Sequence, residues 1–221
     1  AMSCNNLGGL YLDWSKYALA EPQYKRALKI YQSVFGERHP TVAKSYNSLA
    51  GLLNEQGNYA EAEQMYKKTL QLKEELLGNA HPELALTLND FAVLYQRQDR
   101  FTEAQRLYER ALGIRQKALG TAHPDYAQSV KNLAACFQDQ RRFSEALPLF
   151  RSAVEINTAA FGPRHQDVAS ALSSLAGCLQ LLSQFAEAEQ HYDRAILLLV
   201  ELNGENHGDV ALALNGQCFD S

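Results

Sequence analysis

Histidine and cysteine are the residue types in this chain that could bind a metal ion. The sequence holds 6 histidines and 4 cysteines, but no pair has the short spacing of a zinc site such as Cys-x-x-Cys. Five of the histidines instead recur at a constant step along the chain, at His39, His81, His123, His165 and His207. A constant step is typical of a structural repeat. We therefore predict that these histidines are joint residues and that the chain binds no metal.

Patterns that would carry catalysis are also missing. The sequence has no Gly-x-Ser-x-Gly elbow, no glycine-rich loop that would cradle a phosphate, and no His-Glu-x-x-His pair. The polar residues also differ from repeat to repeat. An active site would need a nucleophile, a base and an orienting group at fixed positions. We predict that the chain is not an enzyme and needs no cofactor.

The histidine step reflects a repeat that organises the whole chain. Each of these histidines lies 42 residues after the one before it. Subtracting multiples of 42 from a residue number therefore gives the position of that residue within its repeat. Internal periods of this length are typical of stacked helical or sheet units. Repeat position 36 is always glycine, at Gly36, Gly78, Gly120, Gly162 and Gly204. Repeat position 20 is always alanine, and positions 17 and 24 are always aromatic.

Within each repeat, the apolar positions have helical spacing. They fall into two groups, each with steps of three or four residues, the spacing of one helix face. The pattern predicts two helices per repeat, which we call helix A and helix B. Small residues at positions 8 and 20 let the two axes approach, and aromatic residues at positions 17 and 24 should fill the space beside them.

The joint between repeats has its own signals. The glycine at position 36 predicts a left-handed residue that ends helix B, and proline follows histidine in three joints, at Pro40, Pro82 and Pro124. Proline is well tolerated in the first turn of a helix, so a new helix A should begin there. We expect one domain, 1–221, with repeats at about 1–35, 36–77, 78–119, 120–161 and 162–203, then a capping helix at 205–219.

The remaining cysteines fit this scheme as core residues. Cys136 and Cys178 occupy repeat position 10, where three other repeats carry leucine, so we predict buried thiols. Cys4 and Cys218 also fall at inward positions. Free thiols are typical of a reducing compartment, and we expect a cytoplasmic protein.

Composition excludes several classes of partner. The net charge is -4, from 21 basic and 25 acidic residues spread along the chain, which does not favour nucleic acid. The longest nearly unbroken apolar run, at residues 195–200, is too short to cross a bilayer, and no basic-then-apolar leader opens the chain.

The helix motifs resemble those of a known family. Residues 88–95 read Leu-x-x-Phe-Ala-x-x-Tyr within helix A, close to a Leu-x-x-Leu-Ala-x-x-Tyr motif, and residues 101–112 read Phe-x-x-Ala-x-x-x-Tyr-x-x-Ala-Leu. The chain thus resembles the tetratricopeptide repeat of the kinesin-light-chain type, which nephrocystin-3-like and bacterial proteins share. The resemblance implies an all-α, right-handed superhelical solenoid. It also implies a non-enzymatic adaptor that binds a peptide segment in a concave groove, lined by helix A positions 2, 5, 9, 12 and 13.

Repeat position 5 carries the groove hypothesis. It is asparagine in three successive repeats, Asn5, Asn47 and Asn89, and an amide can donate to and accept from the backbone of an extended peptide. The alternative is a solvated helix position that tolerates asparagine. The candidate contacts are Asn5, Lys44, Asn47, Asn54, Asn89, Gln96, Arg97, Lys131 and Gln138. This mixed set of side chains lacks the basic cluster by which chaperone-binding repeats bind a C-terminal carboxylate. A ligand of that kind is therefore not favoured.

Two other roles remain open at this point. The resemblance to kinesin light chains implies a cytoskeletal accessory protein that binds a motor or tubulin-like filaments. The end faces of the stack could instead form a weak end-to-end oligomer, or the chain could be a monomer. Trp14 either covers the first repeat or contacts a partner.

Overall fold

The computed structural model describes residues 1–204 and 207–217, and every regular element in these ranges is an α-helix. The helices are α1 (Met2–Asp13), α2 (Tyr17–Phe35), α3 (Pro40–Glu55), α4 (Tyr59–Leu77), α5 (Glu83–Gln96), α6 (Phe101–Leu119), α7 (Pro124–Asp139), α8 (Phe143–Phe161), α9 (Gln166–Leu181), α10 (Phe185–Asn203) and α11 (Gly208–Gln217). Odd-numbered helices up to α9 are the predicted helices A, and even-numbered helices are the helices B. The capping helix expected at 205–219 is α11; residues 205–206 and 218–221, with Cys218, lie outside the described residues.

The chain divides into two compact units, Ala1–Ile114 and Arg115–Ser221, with the boundary inside α6. In the first unit, each helix from α1 to α4 packs against the next one along the chain. In the second unit, the same holds from α7 to α10, and α11 packs on α10. Consecutive packing of helix pairs confirms the predicted all-α fold of helix-turn-helix repeats.

The core follows the small and aromatic repeat positions. The alanines at position 20 are at most 1% exposed, and the rings at position 24 are 1 to 6% exposed, at Tyr24, Tyr66, Tyr108, Phe150 and Tyr192. The prediction for position 17 is wrong in the last full repeat, where Phe185 is 49% exposed. In the other four repeats, the ring at position 17 is half-buried. Cys136 and Cys178 are fully buried, as predicted, and form no disulfide, and Cys4 is half-buried.

The glycines at position 36 end the B helices in an unexpected way. Their φ angles are positive, as predicted, from 77° at Gly36 to 84° at Gly78. Their ψ angles are 172° and 159° at these two residues, whereas a left-handed helical residue has ψ near about 47°. This extended region with positive φ is open to glycine almost alone. The joint therefore needs glycine more strictly than a left-handed cap would.

The joint histidines cap the helices that follow them. At His39, His123 and His165, the imidazole Nδ1 accepts a hydrogen bond from the backbone N–H two residues later, at 3.2, 3.1 and 3.2 Å. The first N–H groups of a helix have no partner within it, so an acceptor at this position stabilises the helix end. His81 and His207 make the same bond. The repeated histidine is therefore a helix cap.

Polar side chains at repeat position 31 hydrogen-bond to the start of the next helix A in three repeats, at Lys73, Arg115 and Asn157. In the first unit, the Lys73 ammonium donates to the Glu83 carbonyl and to the Thr87 hydroxyl, both at 3.0 Å. In the second unit, the Arg115 guanidinium donates to the Asp125 carbonyl at 2.7 Å and to the Ser129 hydroxyl at 2.8 Å. Lys73 and Arg115 are 5% and 8% exposed. Sequence analysis did not single out this position.

Candidate functional site

A cavity of about 370 Å³ lies in the first unit, on the face of α3 that carries predicted groove positions. Gly51 leaves space on α3, and the hydroxyl of Tyr66 would lie 3.9 Å from a Cβ placed there. The lining residues are Leu12, Tyr24, Asn47, Ser48, Gly51, Asn54, Glu55, Tyr66, Asp90 and Val93. The structure thus brings two of the predicted contacts, Asn47 and Asn54, together in one cavity.

Asn47 is held by a carboxylate that sequence analysis did not identify. Its Nδ2 donates to Asp90 Oδ2 at 2.9 Å. Because a carboxylate can only accept, Asp90 fixes which way the amide points. The Asn47 Oδ1 atom is buried and meets no donor among the described residues. The amide therefore has one fixed bond and one unused acceptor.

Asn54 is 5% exposed, and its side chain has no hydrogen-bond partner among the described residues. In the next repeat, the Tyr108 hydroxyl donates to Gln96 Oε1 at 2.9 Å, from repeat position 24 to position 12. Asparagine is one methylene shorter than glutamine, so Asn54 does not make this bond with Tyr66. Burial raises the pKa of Tyr66, and the nearby charge of Asp90 raises it further.

Gln138, at repeat position 12 in the second unit, also has an amide oxygen without a donor, but for a different reason. Its Oε1 atom is buried without a donor among the described residues. The residue at position 24 of its own repeat is Phe150, which has no hydroxyl. In the following repeat, Tyr192 does donate to Gln180 Oε1, at 3.4 Å. The unused oxygen of Gln138 thus follows from one missing hydroxyl.

The predicted cations of the first unit are paired with carboxylates. Arg97 Nη2 lies 2.8 Å from Glu55 Oε1, and Lys44 Nζ lies 3.9 Å from Glu83 Oε2. Both pairs are solvent-exposed, where ion pairs contribute at most about 1 kcal/mol. These two side chains can exchange their partners for a ligand at little cost.

The second unit has a larger cavity, of about 480 Å³, with hydroxyl groups in its wall. Ser173 and Ser174 donate to carbonyls of their own helix, and Ser170 accepts from Lys131 Nζ at 2.9 Å. Burial lowers the pKa of Lys131. The hydroxyls here are therefore already engaged within the protein.

The other two asparagines at position 5 differ in burial. Asn5 is half-buried on α1, whereas Asn89 is 5% exposed within α5. A solvated helix position does not describe Asn89. Trp14, the other candidate contact, is 61% exposed, with its ring edge against Tyr11.

Sequence reasoning missed Asp90, which occupies repeat position 6. That position carries a small polar residue in every repeat: Asn6, Ser48, Asp90, Asn132 and Ser174. A position that is always polar on a helix with an apolar face was the available signal.

In the part of the chain that the structure describes, no three histidine, cysteine or acidic side chains are grouped as a metal site would require. Likewise, none of the described helices combines the length and the apolar character needed to span a membrane.

Comparisons with known proteins agree with this geometry. The family model "Tetratricopeptide repeat" matches residues 1–75, 41–117, 83–159, 127–196 and 167–217. The chain belongs to the tetratricopeptide repeat family. No curated protein sequence matches it significantly.

Solved structures of kinesin-light-chain type are similar in fold. The nearly identical TPR-like repeats named for a kinesin light chain of Podosopora anserina match with a TM-score of 0.74 and 22% identity, over 91% of this chain and 96% of that one. BtubC (BKLC) from P. vanneervenii matches with a TM-score of 0.76 and 21% identity, over 91% of this chain and 80% of that one. The family resemblance seen in the sequence is confirmed.

Proposed function

We propose that this chain is a non-enzymatic adaptor that binds an extended peptide segment of a partner protein along the groove positions of its A helices. The tetratricopeptide repeat fold supports a protein-interaction scaffold. One observation carries the groove assignment. Asn47 and Asn54 line a cavity and hold buried amide oxygens that meet no donor among the described residues. A buried acceptor without a donor costs about 1–3 kcal/mol, and a peptide backbone N–H would supply one.

Further support comes from the other predicted contacts. Lys44 and Arg97 hold exposed ion pairs that a ligand can replace. We place the adaptor in the cytoplasm, because the buried cysteines Cys136 and Cys178 form no disulfide, which fits a reducing compartment.

The test replaces Asn47 and Asn89 together by alanine. Partners are first identified by affinity purification from the native cell, and binding of the purified partner is then measured by calorimetry. We expect at least about tenfold weaker binding, equivalent to about 1.4 kcal/mol. A far-ultraviolet circular dichroism spectrum checks that the variant is folded.

The matched control is the double variant Asn58→Ala and Asn79→Ala, because both side chains are exposed and lie outside helix A. It should bind as the unmodified chain does. Undiminished binding by the Asn47 and Asn89 variant would refute the groove assignment.

A second candidate is a cytoskeletal accessory role. The similarity in fold to repeats named for a kinesin light chain supports it. Purified chain would be centrifuged with tubulin filaments at micromolar concentration. Co-pelleting is expected if this role is correct, and its absence would count against it.

A further inference from the structure

We propose that the cavity of the first unit receives a cationic side chain, a lysine or an arginine, from the partner segment. The inference rests on the proposed function and specifies which ligand chemistry the groove selects. It depends on three features of the cavity: its negative charge, its buried amide oxygens without donors, and its aromatic walls.

The charge of the cavity wall is negative. Asp90 and Glu55 contribute carboxylates, and none of the lining residues named above is a lysine, arginine or histidine. Arg97 approaches from beside the cavity and pairs with Glu55 at 2.8 Å. The wall residues together with Arg97 therefore carry one net negative charge. An entering ammonium or guanidinium group would balance it, whereas a carboxylate would be repelled.

The buried amide oxygens without donors favour a ligand that carries several N–H donors. Asn54 is more than nine-tenths buried, with no hydrogen-bond partner for its side chain among the described residues. Its terminal torsion turns easily between two orientations, so its oxygen can be presented to a donor. Asn47 holds a second oxygen without a donor. An ammonium carries three N–H donors and a guanidinium five, without any acceptor.

The remaining walls suit the alkyl stem of such a side chain. Tyr24 and Tyr66 line the cavity with aromatic rings, and Leu12 and Val93 add apolar surface. Rings attract cations through their faces, and the stems of lysine and arginine bury along apolar surface. The cavity of about 370 Å³ offers both kinds of contact.

The cavity of the second unit also holds two carboxylates, from Asp167 and Asp209, but none of its described wall residues has a buried amide oxygen without a donor. Lys131, at position 5 of the fourth repeat, bonds its ammonium to Ser170 in that wall. A second cation would meet a like charge at this position. The preference for a cationic side chain is thus assigned to the first unit alone.

The experiment uses nuclear magnetic resonance with small probes, so that no partner is required. Four capped amino acids, the N-acetyl methylamides of lysine, arginine, norleucine and glutamate, are titrated into the full chain labelled with nitrogen-15. We expect lysine and arginine to shift the side-chain amide signals of Asn47 and Asn54. Norleucine and glutamate should bind at least about tenfold more weakly, as expected when a charge-assisted hydrogen bond is missing.

Variants locate the effect. Asp90→Asn should reduce the affinity for capped lysine about tenfold, and Glu55→Gln should reduce it less because Arg97 already neutralises that carboxylate. Glu155→Gln, a change of the same charge on an exposed residue of α8, should have no effect. Backbone amide signals outside the cavity show whether each variant keeps its fold.

Several outcomes would overturn the inference. They are equal binding of norleucine, tighter binding of glutamate, no shift with any probe at its solubility limit, or unchanged lysine binding by a folded Asp90→Asn variant. None of these results depends on partner capture. Loss of the lysine preference would therefore leave the adaptor proposal to its own test, and failure of partner capture would not change the probe result.

Discussion

The two units are built from the same repeat, yet their cavities are in different states. In the first unit, Asn47 and Asn54 hold buried amide oxygens without donors, beside the carboxylate of Asp90. In the second unit, Ser173 and Ser174 bond to their own helix, and Lys131 is bonded to Ser170. The first cavity leaves acceptors for a ligand, whereas the second satisfies its hydroxyls internally.

The difference separates repeat positions that are alike in both units from positions that are not. Positions 8, 20 and 24 are small or aromatic in both units and are buried in both. Among the five full repeats, asparagine at positions 5 and 12 and aspartate at position 6 occur in the first unit alone, and the cavity chemistry differs with them. Positions 8, 20 and 24 stay alike because each must fit the neighbours that pack against it.

The largest effect is expected at the joints, where the two units are alike. Lys73→Ala in the first unit and Arg115→Ala in the second should each lower the free energy of unfolding by about 3 kcal/mol, because each leaves a buried carbonyl and a hydroxyl without their charged donor. Urea denaturation measures both. Asn157→Ala is the control, because Asn157 makes a single bond of 3.3 Å to the Asp167 carbonyl, and should cost about 1 kcal/mol. Equal costs for all three would show that the buried cations do not fasten the joints.

The turn between helices A and B should respond with opposite signs to two substitutions, one in the second repeat and one in the fourth. Repeat position 15 has positive φ in both, 75° at Gly57 and 58° at Arg141. Gly57→Ala should destabilise the first unit by about 1 kcal/mol, and Arg141→Gly should stabilise the second by up to about 1 kcal/mol, because a side chain is strained in this conformation. Differential scanning calorimetry would detect the two shifts. Shifts of the same sign would contradict this account of the turn.

Adding one hydroxyl group in the second unit should give the amide oxygen of Gln138 a hydrogen-bond donor. Phe150→Tyr places a donor where Tyr108 and Tyr192 have theirs, so it should bond to Gln138 Oε1 and stabilise the unit by about 1 kcal/mol. Tyr108→Phe should destabilise the first unit by about the same amount, because Gln96 would lose its donor. If Phe150→Tyr is destabilising, Gln138 already satisfies its oxygen in solution.

The smallest effect concerns the cation of the second unit. Burial lowers the pKa of Lys131 in the folded chain, so between that pKa and the ordinary lysine value the unfolded chain binds more protons. Stability should therefore rise as the pH increases through this alkaline range. Lys131→Met should show a smaller rise than the unmodified chain, measured by urea denaturation at successive pH values. An identical rise in the two proteins would assign it to other groups, such as Lys73, whose pKa burial also lowers.

Much of the fold could be predicted because its signals are local. The helical spacing located both helices of every repeat, and Gly36 and its equivalents marked where each helix B ends, since only glycine fits a positive φ with an extended ψ. The capping role of His39 was not predicted, because it depends on the geometry of one turn rather than on residue type. The prediction for Phe185 failed because spacing alone does not show that a helix end is uncovered.

The candidate site was predictable only in part. Helix A positions 5 and 12 were assigned to the groove through the family resemblance, and Asn47 and Asn54 do lie in one cavity. Asp90 was missed, because it is 43 residues from Asn47 along the chain and the bond requires two A helices side by side.

By itself, the sequence determined the repeat, its helices and the buried positions 8, 20 and 24, because each depends on local spacing and on the size of single residues. Only the tertiary structure decided which polar groups find partners. The Tyr108 hydroxyl bonds to Gln96. Among the described residues, the Gln138 oxygen has no donor because Phe150 lacks a hydroxyl, and the Asn54 oxygen has none because its side chain is one methylene too short. A hydrogen bond needs its donor and acceptor atoms within about 3.5 Å, and residue spacing along the chain does not fix a distance that short between two helices.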